Sequence, residues 1–287
     1  MTDVRRVFEA LNWASSFLKA KGREENAARI LLQHELGMSQ AGLLASLRDP
    51  LDPEQDERFR RNIEQHAAGV PVQHLTGVEE FYGREFEVNK DVLIPRPETE
   101  ELIEETLQLV QRYFPAGDPS IVDIGTGSGI IAITMKCELP ASEVAAVDIS
   151  ESALLTAERN ASRHGADIDF KLGDLTEPIR GRKWDIVLSN PPYIGYDEKA
   201  ELSDTVRDFE PHTALFADDQ GLALYSRMAR ELPALVNKPG IIGFEIGHAQ
   251  GEAVKSLLKE AYPQAEIYVK KISTKMTAWS FASTRSY

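Results

Sequence analysis

From residue 3 to residue 68 apolar side chains recur at helical spacing. Val4, Val7, Phe8 and Leu11 share one face, as do Ala27, Ile30, Leu31 and His34. Apolar positions every three to four residues mark helices with one face turned to a core, so a small all-helical domain is expected over residues 1–74. Asp52 followed by Pro53 reads as an N-cap with proline at the first helical position. At Leu75 the period changes. The stretch "LTGVEEFYGREFEVNKDVLI" places Phe81, Phe86 and Val88 among glycines at 77 and 83, which predicts a β-hairpin turning at Gly83-Arg84 and makes 75–94 a structured linker. Pro97 then opens a helix with acidic residues in its first turn. Beyond it, the apolar runs "SIVDIG", "EVAAVD", "IDFKLGD", "WDIVLSN" and "GIIGFEIG" alternate with helical stretches. Strands buried on both faces read as such runs, so 95–287 is expected to form an α/β domain around a mostly parallel sheet. Two late strands, "AEIYVKK" and "TAWSFAS", lie too close together for a parallel crossover; they are expected to form an antiparallel edge.

Composition narrows the class. With 287 residues, 42% hydrophobic and 27% charged, the chain can fill one large core and a second, smaller one. The N-terminal stretch mixes charge with apolar residues and resembles neither a signal peptide nor a membrane span. A cytoplasmic protein without a membrane partner is expected. The single cysteine, Cys137, lies in "IIAITMKCEL" and reads as a packed small side chain, which leaves no cysteine cluster for a metal. His34 and His66 stand alone on helices, and no metal site is expected. A formal charge of −14 opposes the basic footprint that nucleic-acid binding needs.

The candidate chemistry collects at strand ends. The first strand of the α/β domain runs into Asp123-Ile124-Gly125-Thr126-Gly127-Ser128-Gly129 and then a helix. Alternating glycines let the backbone turn sharply and approach a ligand, and the helix start offers unpaired N–H groups. A tight turn without ligand is the plain alternative. The dinucleotide fingerprint has a different glycine spacing, so another adenosine ligand is favoured. Asp148, with Ile149 after it, ends the second strand, where a carboxylate can accept from both ribose hydroxyls; capping the next helix is its other reading, although Ser150 serves as well. Asp174 and Leu175 end the third strand, placed to accept from an adenine amino group and to cover the ring, or simply to form a loop. The fourth strand ends in "SNPPY", Ser189 to Tyr193. Two prolines cannot extend a sheet, and an amide side chain precedes them.

These elements resemble the S-adenosylmethionine-dependent methyltransferases, in which Asn-Pro-Pro-Tyr marks enzymes that methylate a planar, conjugated nitrogen. On that resemblance the Asn190 oxygen accepts one N–H of the target, the Pro191 carbonyl, freed because the prolines end the sheet, accepts the other, and Tyr193 packs against the flat amide. The stretches "GVPVQHLTGVEEFYG", "VLIPRPETEELIEE" and "VRDFEPHTALFADDQGLALYSRM" narrow the likeness to the N5-glutamine methyltransferases of peptide chain release factors. The resemblance implies a seven-stranded, mostly parallel Rossmann-like sheet with an antiparallel edge. It implies transfer of a methyl group to the glutamine of the Gly-Gly-Gln loop in class-I release factors, leaving S-adenosyl-L-homocysteine. Asp123, Gly125, Thr126, Gly127, Ser128, Gly129, Asp148, Ile149, Asp174, Leu175 and Asn190 are then the cofactor residues. Leu93 and Arg96 join Asn190, Pro191, Pro192 and Tyr193 at the substrate. An adenine-N6 nucleic-acid methyltransferase shares the loop and the "NPPY", yet it is expected to carry a basic groove. The helical residues 1–74 are assigned to recognition of the protein substrate.

Overall fold

The computed structural model describes residues 4–115, 117–271 and 277–284, the stretch from 271 onward in its backbone alone; Met1 to Asp3 of the helical domain lie outside the described residues. Contacts divide the chain into two units, one comprising Met1–Val78 with Ser203–Phe209 and the other Glu79–Leu202 with Glu210–Tyr287.

The first unit begins with five helices: α1 (Val7–Ala20), α2 (Asn26–Leu36), α3 (Gln40–Ala45), α4 (Pro53–Ala67) and α5 (Val72–Thr76). Asp52 caps α4, its carboxylate accepting from the Glu54 and Gln55 amides, and Pro53 opens the helix as expected. The buried faces overlap the expected ones at Val7, Ala27 and Leu31 but are shifted. Val7, Ala10, Ala14 and Leu18 face the core from α1, and Ala27, Ala28, Leu31 and Leu32 from α2, while Val4, Phe8 and Ile30 are exposed. Alanines let α1 and α2 approach closely, and that contact sets each helix's rotation. His66 closes α4, its Nδ1 lying 2.8 Å from the Val70 carbonyl oxygen.

The second unit opens with the hairpin β1 (Val78–Phe81) and β2 (Arg84–Glu87). Its turn is Tyr82-Gly83, one residue earlier than expected, because Tyr82 and Gly83 both take positive φ, 51° and 68°, as a two-residue I′ turn demands. Phe81 and Phe86 are buried among sheet and helix residues, so the hairpin is part of the α/β core. There follow α6 (Glu98–Tyr113), β3 (Ile121–Ile124), α7 (Ile130–Glu138), β4 (Val144–Asp148), α8 (Glu151–His164), β5 (Asp169–Leu172), β6 (Trp184–Ser189) and the short β7 (Ile194–Gly195). Helix α9 (Asp204–Phe209) belongs to the first unit, where Arg23 holds Asp204 through two bonds of 2.6 and 2.8 Å. The chain returns through α10 (His212–Leu215), β8 (Phe216–Ala217), α11 (Ala223–Glu231), β9 (Val236–Gly247), α12 (Gly251–Ala261), β10 (Glu266–Lys271) and β11 (Thr277–Thr284).

The seven-stranded sheet has the order β10-β11-β9-β6-β3-β4-β5. Five strands, β9, β6, β3, β4 and β5, are parallel, and β11 and β10 add the antiparallel edge. Side chains alternate between faces. Ile121, Ala146, Ile186, Leu188 and Ile241 pack under α6, α7 and the hairpin, while Val122, Val147, Val187, Ile242 and Phe244 pack with Tyr225, Met228, Val254 and Leu258 of α11 and α12. From β3 the chain winds outward to β4 and β5 and then crosses to β6 on the other side. The carboxyl ends of β3 and β6 therefore flank a topological switch point, where open α/β sheets collect ligands. Among the described residues no helix is long and apolar enough to cross a membrane.

Candidate active site

A cavity of about 370 Å³ opens at that switch point. The glycine turn after β3 forms one wall. Gly125 and Thr126 donate their amides to the Val147 carbonyl at 2.8 and 2.9 Å, and Gly127 donates to Asp148 Oδ2 at 2.8 Å. Gly129 serves packing: its φ is +86°, and a Cβ there would lie 2.7 Å from Ile133 Cδ1 and 3.1 Å from Ala157 Cβ. Asp123 sits beneath the turn, fully buried, accepting from the Thr126 hydroxyl at 2.6 Å. Burial pushes its carboxyl up to about 7, against that bond and one from the Ala132 amide.

Asp148 ties two loops together. Its Oδ1 accepts from the Ser150 amide at 2.9 Å, and Ser150 itself caps α8. The capping reading of Asp148 therefore falls to its neighbour. Burial raises the Asp148 pKa above the ordinary carboxylate value, against the backbone bonds from Ser150, Gly127 and Ile149. Ile149 is 66% exposed although it lines the cavity. After β5, Leu175 takes φ +49°, a backbone region a branched side chain rarely occupies. Asp174 receives Arg227 Nη1 at 2.6 Å on its Oδ2, so a ligand would meet a carboxylate already partnered by a guanidinium.

At the end of β6 the two prolines release the strand, and Asn190, Pro191 and Pro192 line the same cavity. Asn190 Nδ2 lies 3.4 Å from Thr99 Oγ1, and the Thr99 hydroxyl donates to Glu245 Oε2 at 2.7 Å. Glu245 is 1% exposed. Its carboxyl is pushed up to about 7, chiefly by burial and further by Glu98, while bonds from Thr99 and Asn190 and the charge of Arg96 oppose the shift. Buried Glu210 accepts from the Ile94 amide at 3.1 Å and from Arg96 at 2.5 Å, fixing the loop that carries Leu93 into the cavity wall.

The structure thus brings Leu93, Arg96, Gly125, Thr126, Gly127, Ser128, Asp148, Ile149, Asp174, Leu175, Asn190, Pro191 and Pro192 to one cavity. Asp123 and Gly129 stand behind its wall. Tyr193 does not line it. The Tyr193 side chain packs against the core cluster that holds Tyr225, Phe244 and Val254, and Gln250 Nε2 donates to the Tyr193 carbonyl at 2.8 Å. Tyr196 takes the place at the cavity edge, stacked on Phe216 with centroids 5.4 Å apart; the β7–β8 pairing of Ile194 with Phe216 sets the two side by side. Sequence reasoning missed Thr99, Glu210 and Glu245. A charged residue inside the apolar strand "GIIGFEIG" was the one available signal.

A parallel sheet with this glycine turn, this acidic strand tip and this amide at the switch point defines an α/β methyltransferase. Residues 102–209 match the family model described as "Methyltransferase small domain", and residues 9–77 match "PrmC N-terminal domain". Among curated proteins, the release factor glutamine methyltransferase of Bacillus subtilis is 48% identical over 93% of this chain and 94% of its own length. That of Bacillus cereus is 46% identical over 92% and 94%. A methyltransferase structure from Pyrococcus furiosus superposes with a TM-score of 0.53 at 15% identity, covering 82% of this chain and all of that one. The chain belongs to the release factor glutamine methyltransferase family.

Proposed function

We propose that this chain transfers the methyl group of S-adenosyl-L-methionine to the side-chain amide nitrogen of the Gly-Gly-Gln glutamine in class-I peptide chain release factors. The observation that carries the residue assignment is a single cavity lined both by the glycine turn with Asp148 and by Asn190-Pro191-Pro192. The chemistry of the wall suits the cofactor: a positive-φ glycine turn, a carboxylate for the ribose, exposed Ile149 and half-buried Leu175 for a flat ring, and acidic side chains facing a cationic group. Bound there, S-adenosyl-L-methionine supplies an electrophilic methyl group on a sulfonium centre.

An amide nitrogen is a poor nucleophile because its lone pair is shared with the carbonyl. The work of this chain is therefore positioning. Asn190 Oδ1 accepts one N–H of the glutamine, the main-chain carbonyl of Pro191 accepts the other, and the nitrogen lone pair is left facing the methyl. With the cofactor held there, methyl transfer would form the nitrogen–carbon bond and leave the electron pair of the carbon–sulfur bond on sulfur. The extra proton leaves the nitrogen, which its developing charge has made acidic, and passes to solvent. Tyr196 on Phe216 stands at the site edge, and water excluded from the site by bound substrate would strengthen the polar contacts.

Residues 1–74 are proposed to read the release factor, since one glutamine offers too little surface to select a protein. Incubation with methyl-labelled cofactor and either a release factor or DNA tests the reading. Label in the release factor glutamine is expected. Label in adenine instead would replace this reading with the nucleic-acid alternative. Asn190→Ala should reduce turnover by about 10²–10³ with cofactor affinity within a few-fold of the parent; near-parental methylation would refute the assigned role.

A further inference from the structure

Carboxamide orientation is the weak point of a site built on asparagine. Turned by half a rotation, Asn190 would present its NH₂ to the N–H groups of the glutamine, donor against donor. The surroundings of Asn190 bear on which way it sits. In the parallel register of β6 and β9, Ser189 lies beside Phe244, so Asn190 and Glu245 follow side by side at the sheet end. Thr99, with no exposed surface, stands between them from the first turn of α6. We propose that Glu245 and Thr99 are positioning residues that fix the orientation of the Asn190 carboxamide through a hydrogen-bond chain whose direction the carboxylate sets; the inference rests on the reading of Asn190 given above.

An ionised carboxylate only accepts, and a hydroxyl has one proton to give. The Thr99 proton goes to Glu245 Oε2 at 2.7 Å. Toward Asn190 the hydroxyl therefore offers only a lone pair, and only Nδ2 can approach it, at 3.4 Å. The Asn190 side chain also bears on the Glu245 carboxylate, favouring its charged form. With its nitrogen side held, Asn190 keeps Oδ1 for the substrate. The Glu245 backbone is anchored as well, since the Tyr225 hydroxyl donates to its carbonyl at 2.6 Å. A buried carboxylate is a costly way to hold a threonine, which argues that its charge is used. Protonated Glu245 could donate to Thr99, freeing the threonine proton to point at Asn190 and removing the directional bias. Among the described residues, the titratable groups that bear on Glu245 are Glu98, which favours the proton, Arg96, which opposes it, and Tyr225, whose hydroxyl the Glu245 charge helps to keep protonated. The direction of the chain should therefore be secured as pH rises through about 7.

The test uses the full chain with an intact release factor, reading kcat, cofactor affinity and the pH profile. Thr99→Val is expected to lower kcat by about tenfold or more, as loss of one buried hydrogen bond near the reacting atoms would. Cofactor affinity should stay within a few-fold, and Thr99→Ser should restore the rate. Glu245→Gln, close in shape and able to donate or accept, is expected to lower kcat and flatten the acid limb near pH 7. If Thr99→Val fails to fold, Glu245→Gln decides alone. Parental kcat in Thr99→Val, or an unchanged acid limb in Glu245→Gln, would overturn the inference. Failure of the underlying assignment would look different: Asn190→Ala would then stay active whatever Thr99 and Glu245 do.

Discussion

Asp148 shapes its loop with the carboxylate proposed to bind the cofactor. Its Oδ2 takes the Gly127 amide and its Oδ1 the Ser150 amide, with the Ile149 amide contributing as well, and the carboxylate's remaining acceptor capacity is left for the ribose. Asp148→Ala removes both functions. Charge-assisted bonds are worth roughly 1.5–3 kcal/mol each, so calorimetry should show cofactor affinity reduced by at least about tenfold. Unchanged affinity would remove Asp148 from the site. Asp123, beneath the same turn, answers a different measurement. Its carboxyl is raised from 3.8 to about 7 by burial, so in the window between those values the folded chain holds a proton that the unfolded chain has lost. The stability this confers is complete below about pH 4 and is lost as pH rises through about 7. Asp123→Asn, which can still accept from the Thr126 hydroxyl, should flatten the fall of melting temperature across that window. A parallel fall in both proteins would show that Asp123 does not set it.

Between β8 and α11 the turn at Gly221 supports the substrate loop from behind. Gly221 has φ +80°, and a Cβ there would lie 1.9 Å from the Tyr193 carbonyl oxygen, a backbone atom that cannot swing aside. Gly221→Ala should lower melting temperature and kcat together, because the residues after Pro192 must move. A variant with lowered stability and parental kcat would disconnect this turn from the site. Nothing in the local sequence marks Gly221, since its constraint comes from a residue in another element. Thr99 is likewise unmarked locally, and although Glu245 stands out as a charge in an apolar strand, its pairing with Thr99 is made only by the fold. The parallel strands, by contrast, were legible because burial on both faces writes them as apolar runs. The glycine turn was legible because its geometry restricts residue type locally. Helix periodicity in α1 and α2 located the elements and part of their buried faces but not their full rotation, since alanines carry contacts that larger residues such as Ile30 advertise. "NPPY" placed Asn190 and the prolines at the cavity, yet the tyrosine facing that space is Tyr196, brought in by the two-residue pairing of β7 with β8.

At the scale of the whole chain, the first unit is not one stretch of sequence. It takes in Ser203–Phe209, which lies between the "NPPY" turn and Glu210. Arg23 holds Asp204, drawing its carboxyl down to about 2 through that bond, and the Phe209 ring lies against Gly69. Arg23→Ala should speed amide hydrogen exchange across 203–209 while leaving β3, β4 and β6 protected. Equal exchange in both proteins would mean that the pair does not hold the segment. Evolution and engineering meet the same consequence. The helical unit is a split module, and exchanging only its N-terminal stretch with that of a relative would set a foreign core against the resident α9. A chimera that carries residues 1–78 alone should therefore be less stable than one that carries 203–209 with them. If the helical unit reads the release factor as proposed, selectivity for one factor over another would be transplanted intact only by the two-piece exchange.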